Sequence, residues 1–526
     1  MDMSAFPQQM QTLMSGSTIN GSMGGNMAEF QELVKALEAN NHTAPGATDV
    51  ANLQGGGALG VQSLDTTMKT TIQENQHFTL FNRLAQSNAI NIVDEYSRQS
   101  HVGGFLGGST NTQMGVVRAA TGEYKREVGL VKFLMTLRQV GYVLNIGKNI
   151  AEPIAVEERN GALQLLTDAN YLLYHGNAAI VDTQFDGVFK QIDDEITKGG
   201  MPEECRIDMD GKPLDSVEPF SKINVAVSSY GSWGRSTDVF LPNSIQNDLN
   251  MGLDPAFRWM EDGANLPVIG GHVPGIRLTN GILRTNMDTF IHDETNPMTH
   301  VFEVFNNAIA SSASVDALKP SAVTAKGGAV VPAGKASKFT TGRDGDYLYA
   351  VAGISKNGAG ISTVVVADLA SVPAGGVVTL TITAASSAND LGGYAIYRSR
   401  QGAKQPASGD LTDKDKRRAI LADFRLVKMI STDELGAGGT WVDTNADLPG
   451  SVSVPLLNLA PGADAIGWRQ FQPMTKIQLP FGVGGQPVMS WFQFLFGYLR
   501  MTKPKHHGYI KNIVPRFADW KPHTNM

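Results

Sequence analysis

The sequence predicts an α+β chain interrupted by an all-β sandwich, and three observations carry that prediction. Apolar and polar residues alternate over Val131–Arg138. An amphipathic helix of about twenty residues spans Pro153–Asn177. From near Val315 to about Gly450 the text turns Ala-, Gly-, Val- and Thr-rich with short alternating runs, and mixed text then resumes. With 526 residues the chain has room for two to four domains with sizeable cores. Its net charge of −7 offers nucleic acid no global basic field. Its single cysteine, Cys205, excludes an intramolecular disulfide framework and reads as a structural thiol.

Residues 1–65 are rich in Gly, Ser, Asn, Gln and Met and read as an extended arm. One short helix, Met27–Ala39, interrupts it with Phe30, Leu33, Val34 and Leu37 on one face. No Lys or Arg precedes Lys35 and no apolar core follows, which argues against a cleaved secretory signal. Leu80–Ser97 has helical spacing through Leu84, Ile90, Ile92 and Val93. Within 119–145, Val131, Phe133, Met135 and Leu137 fall on one side of a strand and Lys132, Thr136 and Arg138 on the other, with Leu134 breaking the polar side. That predicts a half-polar β-ribbon, an arm not packed on its own domain.

The helix that follows begins at Pro153, places Glu157 and Glu158 in its first turns, and is closed by Gly176. Leu163, Leu166 and Leu173 form its apolar stripe, with Leu165, Ala169 and Leu172 beside it. From about 200 to 315 short strands and helices alternate; Asp238–Asn250 reads as strand, Pro-Asn turn and helix. In the sandwich text, Tyr349, Val351, Leu380, Ile382, Tyr394, Ile396, Leu426 and Trp441 are the expected core, and Lys414–Ala419 is expected to be a solvated loop.

Enzyme signatures are missing. Gly55-x-Gly57-x-x-Gly60 matches a dinucleotide fingerprint but neither follows a strand nor opens a helix, so it reads as a hinge. There is no phosphate-binding loop, no HExxH, no GxSxG and no paired CxxC. His506-His507 point to opposite strand faces without an acidic or Cys partner at useful spacing, and read as a polar surface pair rather than metal ligands. Expected catalytic, cofactor and metal residues are therefore none. Val488–Leu499, the most apolar stretch, is too short for a membrane span and is broken by Ser490, Gln493 and Gly497.

A polar arm, a ribbon, a long helix, a mixed body and closing strands (Phe496–Ile513) follow in this order, with QFDGV after the helix. That order resembles the major capsid proteins of tailed phages, of the Hong Kong 97 type. The segment carrying Tyr347-Leu-Tyr-Ala-Val, Gly393-Tyr-Ala-Ile-Tyr-Arg and Trp441-Val-Asp-Thr resembles a fibronectin type III or immunoglobulin-like domain. The resemblance implies a first capsid part at 66–316, with an extended loop at about 119–145 and a spine helix at about 153–176. It implies an inserted sandwich at 317–450, projecting outward and replaceable by a linker, and a second capsid part at 451–526. It implies hexamers and pentamers of one icosahedral shell around double-stranded DNA, assembled in a host cytoplasm, with scaffold, portal and decoration proteins as partners and no membrane. Glu123, Lys125, Arg126, Glu127, Lys132 and Arg138 are the candidate inter-subunit contacts. Some relatives crosslink a loop lysine to a neighbour's asparagine; Lys125 and Lys132 are available, but no partner Asn or assisting acid can be picked out. An encapsulin-like compartment and a surface adhesin with a working β module are the alternative readings.

Overall fold

The computed structural model describes residues 79–146, 152–252, 273–291, 293–295, 313–332, 335–385, 390–407, 409–436, 438–482 and 487–526. The chain divides into two compact units, Met1–Thr71 and Ile72–Met526. The expected arm 1–65, its helix Met27–Ala39 and the Gly55–Gly60 hinge lie outside the described residues.

The second unit begins with α1 (Thr79–Arg83), β1 (Ala85–Asn88), β2 (Val93–His101), β3 (Glu123–Leu130), β4 (Lys132–Gly141), α2 (Tyr142–Ile146) and the long α3 (Pro153–His175). There follow α4 (Val188–Thr197), β5 (Arg206–Asp208), α5 (Glu218–Ser228), β6 (Asp238–Leu241), α6 (Asn243–Gly252), β7 (Gly275–Leu278), β8 (Gly281–Met287) and α7 (Ala313–Asp316). The β-rich stretch holds β9 (Ala322–Gly328), β10 (Gly345–Tyr347), β11 (Tyr349–Ser355), β12 (Val365–Val366), β13 (Ala370–Val372), β14 (Val377–Thr383), β15 (Leu391–Arg398), α8 (Lys414–Leu421), β16 (Arg425–Ser431) and β17 (Thr440–Asp443). β18 (Val452–Leu457), β19 (Ile466–Gln478), β20 (Val488–Met501) and β21 (Gly508–Ile513) close the chain.

Two sheets and α3 share one core. α3 starts at Pro153, where a missing N–H costs nothing, and buries Gly161, Leu165, Ala169 and Leu173 at four-residue spacing, with Asn170 and Tyr174 alongside. The Gly176 N–H closes it on the Leu172 carbonyl. The helix lies on a four-stranded sheet of order β1-β19-β20-β4. A Cβ at Gly161 would overlap the Gln493 carboxamide, so this glycine lets helix and sheet approach. The second sheet is mixed and six-stranded, of order β5-β21-β18-β6-β8-β7, and α5 covers it with Phe220, Ile223 and Val227.

The helix expected over Leu80–Ser97 is confined to α1. Beyond it the chain runs as β1, parallel to β19, and then as β2. The residues Val93–His101 alternate in burial with period two, and pairing with β3 overrides the helical spacing. The ribbon expected within 119–145 is likewise re-partnered. Its first half, β3, pairs antiparallel with β2; its second half, β4, joins the body sheet against β20. Buried Val131 is the switch between them.

Between β8 and β18 the chain leaves the six-stranded sheet, and β9 to β17 pair only with one another. Two antiparallel sheets form, β17-β14-β9 and β12-β11-β15-β16. Val323, Val378, Leu380 and Ile382 from one meet Tyr349, Val351, Tyr394, Ile396 and Ile430 from the other. Trp441 packs half-buried at the edge of this core, whereas Leu426 lies against the opposite face of its sheet. Counting these seven strands along the chain, the sheets read seventh-fourth-first and third-second-fifth-sixth. An immunoglobulin constant domain reads first-second-fifth-fourth and third-sixth-seventh. Lys414–Ala419 is not a loop: Asp413 accepts from the amides of Asp415 and Lys416 and caps α8.

The sandwich is not tied to the body by its two connections alone. Ala350, Ala352, Ala395 and Tyr397, on the outer face of its larger sheet, pack with Ile180 and Val181 of the body and with Leu421 and Phe424. A Cβ at Gly392 would overlap the Ile180 carbonyl oxygen, so backbone meets backbone there.

Candidate assembly surface

β4 alternates as its sequence predicts, but it packs on the body instead of standing free as an arm. Lys132 donates to the Asp182 carbonyl. Thr136 bonds Gln164 at 3.3 Å, and Arg138 reaches Glu157 at 3.2 Å and Gln164 at 2.5 Å. The N-terminal half of α3 presents these polar partners to the sheet, so the charged side of β4 turns inward.

The apolar side therefore faces out. Phe133, Met135 and Leu137 stand directly opposite Phe496, Phe494 and Phe492 of β20, and Ile477 of β19 lies opposite Phe492. Directly opposed residues share a sheet face, so seven apolar side chains form one surface. Met135 is 62% exposed, Ile477 52% and Phe133 46%. Phe133 meets Phe496 edge-on at 4.9 Å between ring centres, and Phe494 stacks on Phe496 at 4.8 Å. A continuous aromatic face of this kind is far from the scattered apolar residues of an ordinary surface and marks a contact site.

The second feature is the β2–β3 ribbon. Its base is clamped by Asp94, which accepts from Arg469 at 2.9 and 3.0 Å and from the Tyr498 hydroxyl at 2.6 Å, with Arg500 at 3.8 Å. Gly129, opposite Asp94, leaves room for the Tyr498 ring, which a Cβ would overlap. Higher up, Arg98 bonds Glu195 of α4 at 3.0 Å, and the Arg500 guanidinium lies 5.4 Å from the Tyr96 ring centre. The tip, 102–122, has no such support and exposes Val102, Phe105, Leu106, Met114, Val116 and Val117. The ribbon is thus rigid at its base and apolar at its end.

The six residues expected at inter-subunit contacts separate into two groups. Lys132 and Arg138 are engaged by their own chain, as above. Glu127 is half-buried between Lys125 at 2.9 Å and Arg98 at 3.5 Å. Arg126 pairs with Glu95 at 3.2 Å on the open ribbon face, and Glu123 and Lys125 are exposed. The sequence reading missed the aromatic face, although its signal was present. Phe492, Phe494 and Phe496 recur with period two, and their register with Phe133, Met135 and Leu137 depends on a pairing across some 360 residues. The histidine pair expected at the surface is not there: His506 is half-buried and His507 fully buried, its Nδ1 accepting from the Asn458 amide at 3.1 Å, and burial pushes His507 down to about 3. No cluster of three or more metal-ligating side chains occurs among the described residues. No helix among them is long and apolar enough to cross a membrane. A cleft of about 250 Å³ between ribbon base and α4 is lined by charges that already have partners, Arg98 with Glu195 and Glu127, and Asp194 with Lys190 beside the cleft.

Burial pushes the Asp94 carboxyl up, but the hydrogen bonds from Arg469 and Tyr498 and the charges of Arg469 and Arg500 outweigh it and hold the group below the usual carboxylate range. A depressed carboxylate stabilises the fold fully above its unfolded value of about 4 and loses that contribution as pH falls through the folded value. The protection factor of the amides at Val128–Leu130, the slowing of exchange relative to the unstructured chain at the same pH, should therefore be high at neutral pH and fall below about pH 4. Asp94→Asn should lose charge-assisted bonds worth roughly 2 kcal/mol, about thirtyfold in exchange, already at pH 7. Unchanged exchange in Asp94→Asn would show that the clamp does not hold the ribbon.

No protein-family model matches the sequence, and no curated protein sequence matches it. Among solved structures, phage capsids and an encapsulin match the chain, all with low TM-scores and low identity. The capsid of cyanophage P-SCSP1u has a TM-score of 0.40 at 7% identity, over 90% of this chain and 98% of that one. Gordonia phage Cozz gives 0.39 at 7%, over 90% and 96%. The holo-SrpI encapsulin of Synechococcus elongatus PCC 7942 gives 0.35 at 8%, over 90% and 97%.

Proposed function

We propose that this chain is the subunit of a self-assembling, closed shell, a major capsid protein of the Hong Kong 97 type that encloses double-stranded DNA, with an inserted immunoglobulin-like module at 317–450. The observation that carries the reading is the seven-residue aromatic and aliphatic sheet face left open on an otherwise well-packed body. One chain carries both this face and a ribbon with an apolar tip. Two different surfaces on one subunit make heterologous contacts, which close into rings when the rotation allows. Hexamers and pentamers are the rings from which an icosahedral shell is built. The buried charge of β4 and the outward aromatics suit a contact whose centre is apolar and desolvated and whose rim, at Glu123, Lys125 and Arg126, is polar. Lys125, exposed although paired with Glu127, remains the candidate for a crosslink, whereas Lys132 donates to the Asp182 carbonyl of its own chain. The net charge of −7 suits a wall that holds DNA without adhering to it.

Electron micrographs of the purified protein, with and without candidate scaffold, test the reading. Closed particles or mixtures of hexamers and pentamers are expected. A monodisperse monomer under every assembly condition would overturn it, and particles that fill with protein cargo rather than DNA would move it to a compartment.

A further inference from the structure

After β21 the chain crosses from the body to the sandwich. Val514 is buried in the body, the Arg516 amide donates to Asp248 at 2.7 Å, and its guanidinium meets Asp215 at 2.8 Å. From Trp520 onward most polar side-chain partners lie in the sandwich. The Trp520 indole, 2% exposed, donates to the Asp423 carbonyl at 3.0 Å and lies under the Arg425 guanidinium at 5.0 Å, while its amide is held by Thr295 of the body at 3.3 Å. The Pro522 carbonyl accepts from the Gln401 amide at 3.0 Å, and Thr524 donates to the Gln401 side chain at 3.0 and 3.1 Å. His523, equally buried, sits between the Tyr347 hydroxyl at 3.1 Å and Asn445 at 3.3 Å.

We propose that residues 516–526 are a strap that holds the sandwich down on the body, and that the sandwich undocks as an intact unit when the strap is released. Three features point this way. The strap joins no sheet; it grips through two buried rings and a few polar bonds, so it can lift without breaking a strand pair. The sandwich and the body have separate apolar cores, and only a smaller third cluster, with Ile180 and Val181 on the body side, joins them. The remaining ties are polar: Arg425 and Leu426 to Glu294, Lys338 to Asp208, Arg343 to Asp210, Lys356 with Asp182, Asn512 with Ala446 and Leu448, and Lys511 with Asp447. The inference holds whether or not the chain builds a shell.

The full chain carrying Val181→Cys places a thiol in the joint, and the native Cys205, fully buried in the body, is the internal control. Adding Trp520→Ala and His523→Ala to that chain should speed modification at position 181 by at least tenfold with a thiol probe, while Cys205 stays unreactive and amide exchange in β14 stays slow. Unchanged reactivity at position 181 would show that the strap holds nothing. A parallel rise at Cys205, or loss of protection in β14, would show one cooperative unit with no separable docking. If the double variant does not fold, Trp520→Ala alone is read by the same three signals.

Discussion

Phe133→Ser combined with Phe496→Ser should give a folded subunit that no longer assembles. The two rings touch edge-on at 4.9 Å and close the centre of the open sheet face. In the isolated chain Phe133 is 46% exposed and stands outside the body core, so its loss removes little packing; Phe496 packs against the rim of that core, so the melt should fall by a few degrees without collapsing. Both rings are already half-buried or more, so a neighbouring subunit that covers them adds about half of the full burial value, roughly 1 kcal/mol each. Losing two rings costs a contact about 2 kcal/mol, roughly thirtyfold in its association constant. A shell repeats each contact many times, so the concentration at which particles appear should rise at least as steeply. Sedimentation velocity reads the assembly, and a thermal melt reads the fold. Particles forming at the wild-type concentration would remove the aromatic face from the interface. A collapsed melt would mean that the face belongs to the subunit's own core. Arg126→Ala, on the ribbon rim, should by comparison change assembly less than tenfold, because an exposed ion pair contributes about 1 kcal/mol or less.

Local patterns made the long helix, the β6–turn–α6 unit and the alternation of β4 legible in the sequence. α3 begins at Pro153, ends beside Gly176 and repeats its small and apolar residues every four positions. What the sequence did not reveal were the choices made between distant segments. Alternation at Val131–Leu137 specifies a strand, but which side is buried depends on Glu157 and Gln164 of α3, whose side chains attract Arg138 and Thr136. Helical spacing at Leu80–Val93 was overridden because β3, some thirty residues onward, offers the backbone of Val93–His101 a complete ladder. The docked face of the sandwich was hidden for a related reason. Ala350, Ala352 and Ala395 are small and apolar, which reads equally well as a weak strand surface or as a close joint; Ile180 and Val181, far away in sequence, make it the latter.

Asp443→Ala should destabilise the sandwich by about 3–5 kcal/mol, the cost of leaving a buried charge without its partner. Arg398 is fully buried, its guanidinium 2.7 Å from the Asp443 carboxylate and 2.7 Å from the Asn445 side chain. It lies 5.4 and 5.2 Å from the ring centres of Phe339 and Tyr347. Burial alone would ease the proton off Arg398, but the Asp443 charge outweighs it and holds the group charged. Asp443 also accepts from the Tyr349 hydroxyl at 2.8 Å and from the Asn445 amide at 2.7 Å, so its removal strands two further buried donors. The damage should be local. Amide exchange in β14 should accelerate at least a hundredfold while β18 of the body keeps its protection, because the two strands belong to separate apolar cores. Arg398→Met with Asp443→Leu removes both charges and fills part of the space, and should recover most of the loss. If the double variant is as unstable as Asp443→Ala, the cost lies in packing rather than in the unpaired charge. If β18 loses protection with β14, the two cores melt as one, and the strap cannot release one from the other.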